Sequence, residues 1–546
     1  LYVGRRIDSE YNAANQVTQL DGPQWSGGQP NARLSRTYAG SKLTAEELTG
    51  ETSGTVAWTY DDHMRAASES IVGFWPGGTW AVSQGYDDDG LLVQSGPLTI
   101  SREAASGRIS SIVHEYAGIT FTELRTYDDF GQLASLSYER DTDLIYEEVL
   151  DRDALGRIVK KTETVGTAAG GTGLPVERDY EYDLAGRLTK ATSGGVVLER
   201  YVYDKNGNRL TAAYNDDLTV HTATYGNDDE LLTHSAWTLA HGDDGEITKR
   251  AAGNVGYQLA TYTPFGLTSA WTTTSSPQVG GYTLDGLGRR VTKEHWWFAH
   301  NRRLWGSRLR PAAAIISEST LERYVYSDGV NVPDLAIRAD ATGAVTSHVR
   351  LVKDHLGSVL LAIDVEQGAV VRNTRYDSYG RVVSGNIGLG NLPFGFAGGL
   401  TDHHTGLIQF GARAYDPELG RWTSKDPIRF DGGDANLWLY AGGDPVNYMD
   451  PDGHHAAAAG IPIGAGTATA IAGGIGMAIG GIACALDPIC AKAARDAANA
   501  ATEAASAAVA ALGTALGGLC KITPANDNDG SNRCYLIRET DTVLHS

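Results

Sequence analysis

One short phrase recurs along this chain. It reads "YDLAGRLTKAT" from Tyr182, "YDKNGNRLTAA" from Tyr203, "YTLDGLGRRVTKE" from Tyr282 and "YDSYGRVVSG" from Tyr376. Looser copies are "YDDDGLLVQ" at Tyr86, "YDDFGQLAS" at Tyr127 and "DRDALGRIVKK" at Asp151. The turn glycines Gly107, Gly131, Gly156, Gly186 and Gly207 are spaced 24, 25, 30 and 21 residues apart. Each phrase predicts a β-hairpin. A strand ends in Tyr-Asp, and the aspartate accepts backbone N–H bonds in the turn that follows. Glycine takes the positive-φ position, and Arg-Leu or Arg-Val starts the return strand. One D-x-x-G turn is weak evidence in any β protein, but this many copies at similar spacing is strong evidence. A hairpin cannot bury a face by itself, so successive units must share one extended sheet.

Composition agrees where it bears on this reading. The chain has 67 Gly, and its 26 Tyr outnumber 9 Phe. Many turns and many half-exposed strands account for both biases. At 546 residues several domains are expected. The net charge of −21 argues against a nucleic-acid-binding surface, which needs clustered Lys and Arg. The chain starts at Leu1 without a Met or a signal-peptide pattern, which reads as a piece of something longer. All four cysteines, Cys484, Cys490, Cys520 and Cys534, fall near the C-terminal end. That division predicts two parts with different histories. Disulfides and free buried thiols both remain open for the tail.

The repeats resemble the YD repeats of Rhs-type proteins, of insecticidal toxin-complex shell components and of teneurins. Residues 351–454 resemble the Rhs-associated core. They read "LVKDHLGSVLLAIDVEQGAVVRNTRYDSYGRVV", then "PFGFAGGLTDHHTGLIQFGARAYDPELGRWTSKDPI", then "NLWLYAGGDPVNYMDPDG". The resemblance implies a mostly β fold, a hollow cocoon of spiralling hairpins with an Ala/Gly-rich, partly helical C-terminal region. It also implies three parts: a shell over residues 1–350, a core with an autoproteolytic plug over 351–454, and a variable cargo region over 455–546.

The same resemblance implies an intramolecular aspartic protease that cuts its own chain after the final Asp-Pro-x-Gly motif. Asp426 of "KDPI" matches the first catalytic aspartate, Asp450 of "DPDG" the second acid, and Arg413 of "GARAYDP" a basic residue that supports the site. The expected cut lies between His454 and His455. Two close carboxylates cannot both ionise, so one can activate water while the other polarises the carbonyl. Arg413 can depress one carboxylate and separate the two roles. Tethering the bond beside them removes the entropy of encounter, worth about 7–11 kcal/mol in favourable geometries. This chain departs from the family at Arg429-Phe430, where Gly-Leu is usual, and at His454, where Leu is usual. The alternative for the Asp-Pro pairs is a set of rigid turns.

Other motifs carry less. Asp402, His403 and His404 of "TDHHTG" invite a metal, as do His454 and His455, but adjacent histidines on a strand point to opposite faces. "HWWFAHNRRLWGSR" from His295 mixes aromatics with arginines, as core packing or as a glycan or nucleic-acid platform. No P-loop, zinc-finger spacing or G-x-S-x-G elbow is present, so no cofactor and no metal is expected.

Residues 456–486 carry no charge, are long enough to span a bilayer and are rich in Ala and Gly. They read as a segment packed inside a shell or as a membrane-contacting element. The following Ala-rich stretch predicts a helix. The expected function is a polymorphic-toxin shell that encloses its own C-terminal segment as cargo, cuts it free and delivers it against bacteria or a host. Expected partners are a secretion apparatus such as type VI, or toxin-complex subunits, with an immunity protein possible. The expected location is secreted or bacterial cell surface. The rivals are an adhesion or carbohydrate-recognition protein without cargo release, and a membrane-acting toxin using residues 456–486.

Overall fold

A computed structural model describes residues 9–458, apart from 23–31, 76–77, 215–219, 254–255, 263–267, 274–279, 296–297, 328–330 and 387–391. The four cysteines, the expected helix and the uncharged segment beyond Ala458 lie outside the described residues. From Ser9–Tyr11 to Val382–Asn386 the chain forms one sheet of 34 strands. Each strand pairs antiparallel with the next in sequence, as in Ile119–Tyr127 against Leu133–Arg140 and Pro175–Tyr182 against Leu188–Ser193. The sheet runs through residue 350 without interruption, inside the strand Val345–Lys353. Among the described residues there is no α-helix.

The repeat explains the geometry atom by atom. In the turn after Tyr182, Asp183 Oδ1 accepts the N–H groups of Ala185 and Arg187, both at 2.9 Å. Gly186 has φ 83°, which no other residue adopts cheaply. Arg187 then folds back onto Asp183 and lies 4.9 Å from the ring centre of Tyr203, in the next hairpin. The Tyr203 hydroxyl donates to the carbonyl of Leu188, one residue after that arginine. Tyr182 does the same to Ile158 over Arg157, and Tyr127 to Ile109 over Arg108. Each tyrosine therefore satisfies a backbone acceptor of the preceding unit and stacks on its arginine. A register shift stands directly before Tyr127, Tyr182 and Tyr203. Such bulges re-aim a side chain, here toward the neighbouring turn. Where tyrosine is missing, Arg152 replaces it and donates to the Leu133 carbonyl at 2.7 Å.

The sheet curls so that strands distant in sequence face each other. Thr52 bonds Thr292 at 2.8 Å, and Arg289 reaches Glu46 at 3.2 Å. The fully buried pair Arg350–Glu123 (3.1 Å) and the Glu148 bond to His355 (2.9 Å) join the first half to the second. Charges can be buried here because each is paired and hydrogen-bonded.

Candidate active site

Beyond the large sheet the chain builds a small one from Leu400–Thr401, Ile408–Phe410, Arg413–Asp416 and Arg421–Trp422. Its buried face is aromatic: Tyr415 lies 4.3 Å from Tyr440 between ring centres, and Trp422 5.4 Å from Tyr440. Arg413 stacks on this cluster, 4.2 Å from the Trp422 ring. Its guanidinium fans out from there. Nε donates to the Gly453 carbonyl (2.6 Å) and Nη1 to that of Leu437 (3.0 Å). Nη2 meets both Asp426 Oδ2 (2.8 Å) and Asp450 Oδ2 (3.2 Å). One buried cation thus gathers both carboxylates.

The segment expected to be cut is the tip of a hairpin. Tyr448–Met449 pairs with Ala457–Ala458, and residues 450–456 turn between them. Gly453 has φ 73°, and a Cβ there would stand 2.5 Å from the Phe410 carbonyl oxygen. Only glycine fits, which accounts for its place in "DPDG". The N–H groups of His454 and His455 both point at acids. They donate to Asp450 Oδ1 at 3.0 and 3.1 Å, and to Asp452 Oδ1 at 3.0 and 3.2 Å. On the other side, a Cβ at Gly432 would lie 3.0 Å from Asp426 Oδ2 and 3.1 Å from the His454 carbonyl oxygen. Glycine there keeps open the space beside carboxylate and carbonyl.

The electrostatics divide the acids. Burial pushes Asp450 up to about 7, and the adjacent Asp452 reinforces this against the pull of Arg413. Burial also opposes ionisation of Asp452, yet bonds from His455 and Asp450 outweigh it and hold Asp452 well below the usual carboxylate range. The Asp452 bond raises His455 above the ordinary imidazole value. The two neighbouring acids are thus pushed in opposite directions, Asp450 toward its protonated form and Asp452 toward its ionised one.

The structure brings Asp426, Asp450, Arg413, His454 and His455 into one site. Sequence reasoning missed Asp452, visible as the variable position of "DPDG", and Arg308. Arg308 Nη2 stands 3.2 Å from His454 Nε2. An arginine only donates, so Nε2 accepts, and Nδ1 carries the proton toward Asp426 Oδ1 at 3.3 Å. His454 also borders a cavity of about 210 Å³ lined by Leu287, Trp305, Leu309 and Leu400. Arg429 stands at φ 56°, the backbone conformation that suits the glycine usual there. Asp402 is instead engaged by Tyr282 and by Lys293 at 2.9 Å, and Lys293 also lies 2.9 Å from His404 Nδ1. In the aromatic–arginine segment, Leu304 and Trp305 are buried, while Trp296 and Trp297 lie outside the described residues.

A family model described as Teneurin YD-shell matches residues 6–435. The chain belongs to the teneurin YD-shell family. The match includes Arg413 and Asp426 and ends before Asp450. Teneurin-3 of Mus musculus is 26% identical over 354 residues, covering 63% of this chain and 12% of that protein. Double-stranded DNA deaminase toxin A of Burkholderia cenocepacia (strain H111) is 29% identical over 305 residues, covering 50% of this chain and 20% of the toxin. This YD-shell chain therefore spans a small fraction of the relatives' lengths. Among solved structures, TcdB2–TccC3 superposes with a TM-score of 0.59 at 16% identity, covering 80% of this chain and 26% of the other. The Photorhabdus luminescens Tc holotoxin pore gives 0.55 at 15% identity, covering 81% and 25%. These two likenesses show the fold: a β shell of the toxin-complex kind.

Proposed function

We propose that this YD shell encloses a C-terminal effector and frees it by cutting its own chain between His454 and His455. The observation that carries this reading is the 454–455 peptide bond itself. Its N–H rests on Asp450, and Arg413 ties Asp450 to Asp426. In this mechanism Asp426 activates a water in the space left by Gly432. Arg413 keeps both acids in register, and the hairpin tether supplies proximity. The shell is residues 1–350, the core with its plug 351–454, and the cargo side 455–546. A relative named as a DNA deaminase toxin supports a toxin role. A neighbour described as TcdB2–TccC3 without its hypervariable C-terminal region supports a variable cargo after the shell. Toxin-complex subunits or a secretion apparatus are then the partners, and the protein acts outside the cell that makes it.

Intact mass of the purified chain tests this. A fragment beginning at His455, lost in Asp426→Asn with the shell still folded, is the expected result. A single uncut chain overturns the reading. The teneurin similarity would then favour an adhesion shell without release.

A further inference from the structure

We infer that Asp452, the variable residue of "DPDG", is a third acid of the site: it shares a proton with Asp450 and directs it to the leaving nitrogen of His455. The inference rests on the self-cleavage reading and deepens it. Two carboxylates suffice to hold a water and polarise a carbonyl. One of them, Asp450 here, must also hold a proton at the pH of cleavage, because an amide nitrogen does not leave without one.

The geometry places both acids against the leaving nitrogen. The His455 N–H lies 3.1 Å from Asp450 Oδ1 and 3.2 Å from Asp452 Oδ1, so both acids face the nitrogen of the bond to be broken. The His454 N–H, at 3.0 Å from each, fixes the same two oxygens from the preceding residue. Asp452 is 2% exposed and Asp450 3%, so bulk water does not compete for the proton. The Ala412 N–H donates to the Asp452 carbonyl at 2.9 Å and locks the residue's backbone. Asp426 cannot do this work, because its contacts lie toward Arg413, the Ile428 N–H and the His454 ring.

The step balances. Water adds to the His454 carbonyl carbon while Asp426 takes one of its protons. The C–N bond then breaks as the shared proton passes from Asp450 to the His455 nitrogen. His454 gains a carboxyl group, His455 becomes an amine, and the proton on Asp426 replaces the one Asp450 gave.

The charged and titratable groups around Asp450 are Arg413 on the small sheet, Asp426 in the Asp-Pro loop, Tyr440 beside the aromatic cluster, and Asp452, His454 and His455 on its own hairpin. Arg413 stabilises the ionised form, while burial and Asp452 stabilise the protonated one. Losing Asp452 therefore removes the proton from Asp450 at lower pH.

The test follows the full chain, made by cell-free synthesis, pulse-labelled and chased between pH 5.5 and 8.5 while the His455 fragment appears. Wild type should slow as pH rises past about 7. Asp452→Asn should cut about 100-fold more slowly at neutral pH, with its fall displaced to more acidic pH. A merely structural role would lower the rate without moving the profile. Asp452→Ser, the second variant, should displace the fall to more acidic pH in the same way, and a profile unmoved in both folded variants overturns the inference; far-UV circular dichroism reports folding of each. A wild-type rate that does not fall with rising pH overturns the inference without any variant. So does an Asp452→Asn profile that superimposes on wild type while Asp426→Asn stays uncut. No cut in wild type at any pH overturns the parent reading instead.

Discussion

Asp444, of "GGDPVN", should set how the protein responds to pH. It is 3% exposed, and burial pushes its carboxyl up to about 7 despite bonds from Asn447. In the unfolded chain the same group titrates near 3.8. A carboxyl raised on folding contributes stability that is complete below the unfolded value. That stability drains away as pH climbs to the folded value, because the unfolded chain ionises first. At about 1.4 kcal/mol per pH unit, the span from 3.8 to about 7 is worth about 4 kcal/mol. Asp444→Asn keeps the shape and an acceptor for the Asn447 side chain and removes the titration. It should match the parent at pH 4 and exceed it by up to about 4 kcal/mol at pH 8. Both proteins should carry Asp426→Asn, so that each is one covalent chain. Urea midpoints at several pH values, read by tryptophan fluorescence, make the comparison. Parallel pH profiles for the two would refute the reasoning.

Three further outcomes are expected. Gly453→Ala places a methyl against the Phe410 carbonyl at a positive φ, so it should destabilise by more than about 1 kcal/mol and slow release of the His455 fragment, read by midpoint and mass. Tyr182→Phe strands the Ile158 carbonyl and loses the Asn447 bond, for about 1–3 kcal/mol, with faster amide hydrogen exchange in that hairpin. Arg429→Gly relieves a left-handed backbone and should raise stability by about 0.5–1 kcal/mol, visible as a higher melting temperature.

The hairpins were legible because their signal is local. Asp183, Gly186 and Arg187 fall within five residues, and turn chemistry alone fixes their roles. What Tyr203 does was not legible, since its hydroxyl bonds Leu188 in a different hairpin through a bulge that leaves no mark in the residue pattern. The site divides the same way. Asp426, Asp450 and Arg413 follow from motif resemblance. Asp452 was overlooked because the motif leaves its position free. Arg308 lies 146 residues from His454, and only the curl of the sheet brings them together.

That curl also explains how a long repeat comes to hold a buried cluster of paired acids and cation. The residues around Asp426 and Asp450 do not float above the shell; they are keyed to its turns. Asn447 Oδ1 accepts the Ile158 N–H at 2.8 Å, and its Nδ2 reaches Tyr182 and Asp444. Asn436 bonds Asn208 Oδ1 and the Asn206 carbonyl, inside the turn after Tyr203. Arg421 donates to the Asp229 carbonyl and Arg209 to that of Glu418. Successive hairpin turns thus act as ruled positions, and the core segment reads several of them at once. A slip by one hairpin would break these bonds together, so the repeat's regularity fixes where the two carboxylates meet the 454–455 bond. The turns of the shell thus set the positions of Asp426, Asp450 and the 454–455 bond relative to one another.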